Sequence, residues 1–207
     1  RGGWRQPELG GSVPKLLRAL IAAPLILLLV LAAIVSWFGI LGGDSLRAQA
    51  TRMEQLRAST DTPQASNDTR AFDDAGFNQL QLVATHNSYV LRPTWLQSVF
   101  IGLVEPEWAP RLQYDHAPLT DQLDAGIRSI ELDVRWNGSG FTMEHVPLVA
   151  NRGVAIDFAL ALEEIQLWSE RNPGHLPISI MVEVKEDYMF LDPKLKRFDA
   201  DAFDALD

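Results

Sequence analysis

Residues 127–134 read Ile127-Arg128-Ser129-Ile130-Glu131-Leu132-Asp133-Val134, directly after the turn residue Gly126. The alternation is that of a strand. Ile130, Leu132 and Val134 share one face, and Ser129, Glu131 and Asp133 share the other. Two acids on an inward strand face are unfavourable unless a cation or hydrogen bonds compensate them. Upstream, the apolar run Leu80-Gln81-Leu82-Val83-Ala84 reads as a buried strand. It runs into the polar stretch Thr85-His86-Asn87-Ser88-Tyr89. Downstream, Ile178 to Lys185 is a further strand, with Glu183 and Lys185 on one face. Between them Asp157 caps a helix reaching about Arg171, with the apolar stripe Phe158, Ala161, Leu162, Ile165 and Trp168. Asn172-Pro173-Gly174 stops it. Strand, helix, strand in succession implies a parallel α/β sheet, whose strand ends carry its chemistry.

The remaining segments fit around that frame. Asn137-Gly138-Ser139-Gly140 is a turn, and Phe141 to Val146 is a second extended piece. Four residues cannot make a parallel crossover, so this piece is expected to be an antiparallel excursion holding His145 beside the acidic strand. Thr120 is expected to cap a short helix, Asp121 to Asp124, that Gly126 ends. Pro93, Pro106 and Pro110 limit the segment from Tyr89 to Tyr114 to short helices. Trp95, Phe100 and Trp108 within it read as a lipid-facing rim or as ordinary packing, the latter favoured. Asp199 to Asp207 could open another helix; it lacks the glycine and glutamate positions of an EF-hand loop.

The N-terminal third is of another kind. Residues 1–18 form a Gly-rich tail with Arg1, Arg5, Lys15 and Arg18. From Ala19 to Gly43 no residue is charged, which is enough apolar helix to cross a bilayer. Trp37 and Phe38 suit its interface. Ala48-Gln49-Ala50 resembles a signal cleavage site, but the apolar run exceeds the usual signal length, so an uncleaved anchor is favoured. The expected product is a single-pass membrane protein, basic end inside and catalytic part extracytoplasmic, or a secreted one if cut near Ala50. Residues 44–76 read as a linker, with a helical stalk over Arg47 to Ala58. Residues 77–207 read as the catalytic region. The net charge of −9 and the absence of a basic run beyond the anchor argue against nucleic acid, and no protein partner is evident. The absence of cysteine excludes disulfides, a Cys nucleophile and thiolate metal sites.

Asn87, Glu131, Asp133 and Glu183 are oxygen donors at or near strand ends. Calcium takes such a set, and magnesium is the alternative; zinc favours nitrogen and sulfur. His86 and His145 beside them suit acid–base work on a phosphodiester. The cation would screen the phosphate and lower the pKa of an attacking hydroxyl. The expectation is a calcium-assisted phosphodiesterase acting on a phospholipid headgroup at a membrane surface. Taken singly, each piece has a plainer reading: a salt-bridged Glu-x-Asp, a Glu183–Lys185 ion pair, a structural histidine. His116 and His175 are read as structural.

In order along the chain, Ala84-Thr85-His86-Asn87-Ser88-Tyr89, Gln122 to Val134, Glu144-His145 and Val182-Glu183-Val184-Lys185 together resemble phosphoinositide-specific phospholipase C, most closely its calcium-dependent bacterial branch. The resemblance covers about Phe77 to Asp207. It implies a TIM-type (β/α) barrel of the phospholipase C-like phosphodiesterase fold, calcium, and cleavage through a cyclic inositol phosphate. It matches His86 and His145 to the catalytic pair and Asn87, Glu131, Asp133 and Glu183 to the calcium ligands. Lys185 falls near the headgroup. Glu144-His145-Val146-Pro147 departs from the Tyr-His-Gly context of animal enzymes. Three barrel strands are legible where eight are needed. Residues 77–207 are therefore expected to be the first part of the barrel, and the 207 residues alone to be marginally stable with little or no activity. A glycerophosphodiester phosphodiesterase, which usually shows His-Arg at the first strand, and a catalytically silent tethered module are the alternatives.

Overall fold

The structure, a computed structural model, describes residues 15–60 and 75–207, with the backbone alone for 15–19. Most of the expected tail, and the Thr- and Asp-containing part of the expected linker at 61–74, lie outside the described residues. The chain divides into two units, residues 1–37 and 38–207. Helix α1 (Lys15–Ala58) supplies residues to both. In the first unit Leu20, Ile21, Leu25 to Leu31, Val35 and Trp37 are exposed apolar side chains. Among the described residues this is the one helix long and apolar enough to cross a membrane.

In the second unit α1 does not end where the uncharged run ends. The expected linker over 44–76 is helix as far as Ala58. Phe38, Ser45, Gln49 and Met53 are buried, spaced as one stripe of a helix. Gly42 lies on that stripe: a Cβ there would come within 2.7 Å of the Asn151 amide nitrogen, which donates to the Phe38 carbonyl. The Gln49 carboxamide accepts from the backbone N–H of Ile156 and of Asp157, at 2.8 Å each, and donates to the Asp157 carbonyl at 2.9 Å. Hydrophobic periodicity misses this contact because its central members are Ser45 and Gln49.

Strand β1 is only Ala84–Thr85, pairing parallel with Ser129 and Ile130. The expected buried strand over 80–84 is a correction: Val83 is exposed, and this edge has no outer neighbour among the described residues. Helix α2 (Trp95–Val104) is longer than the prolines suggested. Thr94 and Gln97 form a capping box that starts it after Pro93. α3 is Trp108–Arg111, and α4 is Leu119–Asp124. Thr120 is not the cap of α4; Pro118 is, and the Thr120 N–H and hydroxyl both donate to Glu164. Gly126, at φ +93°, ends the turn that follows.

β2 (Ser129–Trp136) is the central strand. β3 (Phe141–Thr142) pairs antiparallel with its end at Arg135 and Trp136, as the short turn requires. α5 (Phe158–Arg171) starts on the Asp157 carboxylate, which accepts from Leu160 N–H at 2.9 Å. β4 (Ser179–Val184) pairs parallel with β2 along six residues and sets Glu183 beside Asp133. α6 (Ala200–Leu206) is capped by Asp199. The result is mixed α/β, with a parallel sheet β1-β2-β4. Ile130, Leu132 and Val134 pack under α4 and α5 against Leu119, Leu123, Phe158, Ala161, Ile165 and Trp168. Buried Glu164 links three helices: it receives Thr120 of α4 and, at 2.9 Å, Arg52 of α1.

Candidate active site and cation cluster

Packing of one face of β2 under α4 and α5 commits its other face, Glu131, Asp133 and Arg135, to the site. All three are buried. The turn after β1 is stitched to that strand. Ser88 N–H donates to the Glu131 carbonyl, and Glu131 N–H donates to Ser88 Oγ, both at 2.9 Å. Gln122 Nε2 donates to the Ser88 carbonyl at 2.7 Å. Within this turn Asn87 stands at φ +48°, a left-handed conformation that asparagine tolerates better than most residues. Asn87 Nδ2 donates to Tyr114 Oη at 3.1 Å, and its Oδ1 is buried without a hydrogen-bond partner.

Asp133 is fully buried, and its two oxygens differ. Oδ2 accepts from Tyr89 Oη and faces His145 Nδ1, each at 3.0 Å, with Lys185 Nζ at 3.7 Å. Oδ1 has no partner. Burial pushes the Asp133 carboxyl upward, but the His145 hydrogen bond and the Lys185 and His145 charges outweigh it and hold the group below its ordinary value. Tyr89 is pushed well up, by burial first and the Asp133 charge second. Lys185 also donates to Glu183 at 2.8 Å. Burial lowers its pKa, while the Glu183 bond and the Asp133 charge raise it further, so the ammonium is retained.

Carboxylate oxygens of Glu131, Asp133 and Glu183 lie within 4.8 Å of one another. His86 Nε2 is 3.8 Å from Glu131 Oε1, with its side chain 73% exposed. His145 is only 13% exposed and packs against Trp108, ring centroids 5.6 Å apart. His86, Asn87 and His145 line one cavity of 230 Å³ with Trp108, Arg111, Leu112 and Tyr114. Three carboxylates close together, one of them with the orphaned buried oxygen Asp133 Oδ1, are donors of the kind that fits a hard oxygen-seeking cation, and Asn87 Oδ1 is a further buried oxygen without a hydrogen-bond partner.

The structure brings the other two histidines elsewhere. His116 faces the His86 carbonyl at 2.9 Å, and His175 sits between Ser169 and the Leu176 carbonyl. Arg135 is a residue that the motif reading passed over. It is 1% exposed, and its guanidinium donates to the carbonyls of Glu144, His145 and Asp187 and to the Asp187 carboxylate, at 2.6–2.9 Å. Arg135 therefore fixes the backbone carrying His145. Its signal was present: it stands two residues after Asp133, on the same strand face.

The model of the family described as phosphoinositide phospholipase C, Ca2+-dependent, matches residues 76–140 and 135–207. No curated protein and no solved structure matches the chain.

Proposed function

The chain belongs to the calcium-dependent phosphoinositide phospholipase C family, and from that premise we propose that it cleaves the headgroup phosphodiester of phosphatidylinositol-type lipids with His86 and His145 as its acid–base pair. The observation carrying this reading is that both histidines and Asn87 line one cavity. Asn87 Oδ1, Glu131, Asp133 and Glu183 would hold calcium. Bound there, the ion supplies positive charge that screens the phosphate and acidifies the attacking hydroxyl.

The division of labour follows from how each ring is held. His145 faces Asp133 through Nδ1, which leaves Nε2 to protonate the departing diacylglycerol oxygen. The inositol 2-hydroxyl oxygen bonds to phosphorus as the glycerol oxygen leaves, giving a cyclic phosphate. His86, exposed and near Glu131, takes the 2-hydroxyl proton or, where solvent takes that proton, steadies the phosphate as charge builds. Lys185 contacts the headgroup. Within the family, we assign the chain to the calcium-dependent bacterial branch, which its motifs taken together most resemble.

Two further parts belong to the same reading. β1, β2 and β4 run parallel in chain order with α4 and α5 between them, the winding of a (β/α) barrel. We take residues 77–207 as the opening part of that barrel. We take the apolar run at 19–43 as an uncleaved membrane anchor whose bilayer part is the exposed stretch 20–37, with the catalytic part outside. The bonds of Gln49 and Ser45 to residues 153–157 support retention over cleavage near Ala50.

The test uses the full-length protein in vesicles, supplied with phosphatidylinositol or glycerophosphocholine, with calcium or a chelator. Calcium-dependent release of water-soluble inositol phosphate is expected. Preference for glycerophosphocholine, or no turnover of either substrate, overturns the reading. Calorimetry of calcium binding, abolished in Asp133→Asn, checks the cluster without reference to activity.

A further inference from the structure

A second cavity, of 180 Å³, opens beside the histidine cavity, and Trp108 lines both. Its walls are Phe100, Ile101 and Val104 of α2, Trp108, Val149 and Leu191, with Tyr188 and Phe190 at the side. One face of Trp108 lies against His145; Tyr188 meets the ring edge-on, centroids 6.3 Å apart. The lining presents one charged residue, Glu105, and that carboxylate accepts from Tyr188 Oη at 3.4 Å. Val104 and Phe190 are 71% and 82% exposed, so the cavity opens among uncovered apolar side chains.

Water has little to bond to here. An apolar cavity of about 150 Å³ lined by aliphatic and aromatic groups stays dry and takes up a hydrocarbon. A phosphate, sugar or peptide backbone would lose its hydrogen bonds in this cavity. An alkyl chain loses none. The chain must also belong to something held next door, because Trp108, which lines this cavity, meets the ring of His145, the residue assigned to the leaving-group oxygen. We propose that this cavity is an acyl subsite, which takes the first methylenes of one fatty-acyl chain of the lipid whose phosphodiester lies between His86 and His145. The proposal rests on the reading given under Proposed function. It makes Trp108 the partition between headgroup and chain. Specificity then depends on chain length as well as on inositol. Burying each methylene is worth about four-fold in affinity, the fold-change that ~0.8 kcal/mol per CH2 converts to.

The test reconstitutes the full-length protein in phosphatidylcholine vesicles with a phosphoinositol lipid carrying a photoreactive diazirine near the start of one acyl chain. After photolysis and digestion, adducts are expected in residues 100–108, 146–149 or 188–191. They should be lost when the cavity is filled by Val149→Trp. Val104→Trp at the exposed mouth is the second variant, should the first not fold. Adducts confined to residues 20–37, or undiminished in both variants, overturn the subsite. Turnover of phosphatidylinositol is read in the same vesicles. Turnover without cavity adducts overturns the subsite and leaves the proposed function standing. Cavity adducts without turnover support the subsite and count against the proposed reaction.

Discussion

His86 and His145 stand on the same cavity but are held in opposite ways. The His86 ring is largely in solvent, with one carboxylate oxygen at 3.8 Å. Only the backbone of its turn is fixed, by Ser88 and by His116 against its own carbonyl. The His145 ring is mostly covered, bonded to Asp133 and backed by Trp108, and Arg135 grips the carbonyl of the same residue. In the proposed reaction a proton donor to a leaving group must be held in one place and orientation, and the His145 ring is held in that way before any ligand arrives. A group that meets a mobile headgroup and a cation can take its final position from them, and His86 is left free to do so.

The sharpest way to break this comparison is to remove each ring in turn. His145→Ala and His86→Ala should each lose on the order of 10²–10⁴ in rate on phosphatidylinositol. On a phosphodiester whose leaving group needs no proton, His145→Ala should recover much of the loss and His86→Ala should not. Equal losses on both substrates, read as kcat/KM, would refute the division. Next in size is Arg135→Met. It takes the guanidinium away from the half-buried carbonyls of Glu144, His145 and Asp187, each such bond worth about 0.5–1.5 kcal/mol or somewhat more for a charged donor. A lowered Tm together with a loss of kcat is expected, both partly restored in Arg135→Lys. Arg135→Met with unchanged kcat would mean that His145 does not need its backbone held.

An acid beside His145 and one beside His116, the residue that meets the His86 carbonyl, sharpen the contrast with smaller effects. Glu144, beside His145, has its pKa raised by burial first, against the pull of the Leu148 N–H and of Arg135. The folded state therefore binds this proton more tightly than the unfolded chain does. Stability is lost as pH rises from the unfolded value to the folded one, and stays lost above it. Glu144→Gln, whose carboxamide oxygen can still accept from Leu148, should raise Tm at neutral pH and not at pH 3. Asp115, beside His116, behaves in the opposite sense. Burial raises its pKa, but the Arg92 N–H and guanidinium outweigh this and lower it. Its contribution is present above the unfolded pKa and disappears as pH falls through the folded one. The pair is half in solvent, so Asp115→Asn should cost only a few tenths of a kcal/mol at pH 7. That difference should close in acid and shrink in high salt.

The legibility of the chain followed hydrophobic period and known spacing. The Asp157 cap, the helix to Arg171, the antiparallel excursion at Phe141 and the convergence of Glu131, Asp133 and Glu183 all follow from patterns of two, three or four residues. What escaped had a different carrier. Prolines around α2 concealed the Thr94–Gln97 box that starts a ten-residue helix. Arg135 carried the strand-face signal but was passed over, because a charged residue on a strand is ordinarily taken as exposed. Its burial depends on carbonyls from residues 144, 145 and 187, which adjoin only in the fold. Asn87 was legible as a donor. That its oxygen is orphaned was not, since this depends on Tyr114 taking the amide nitrogen.

The Gln49 contact bears on how this catalytic unit could be freed from a membrane. A scissile bond at Ala48-Gln49-Ala50 lies inside the folded unit, and Gln49 is wholly shielded from solvent. Hydrolysis there, or trimming at residue 76, would take Phe38 from its edge-on contact with Phe100 and Ser45 from Gly153. A shedding protease that leaves a working product must therefore cut on the N-terminal side of Phe38. A soluble version made in the laboratory should begin at that residue too, with the stretch of α1 from Phe38 to Ala58, about six turns, retained as a permanent part of the folded unit.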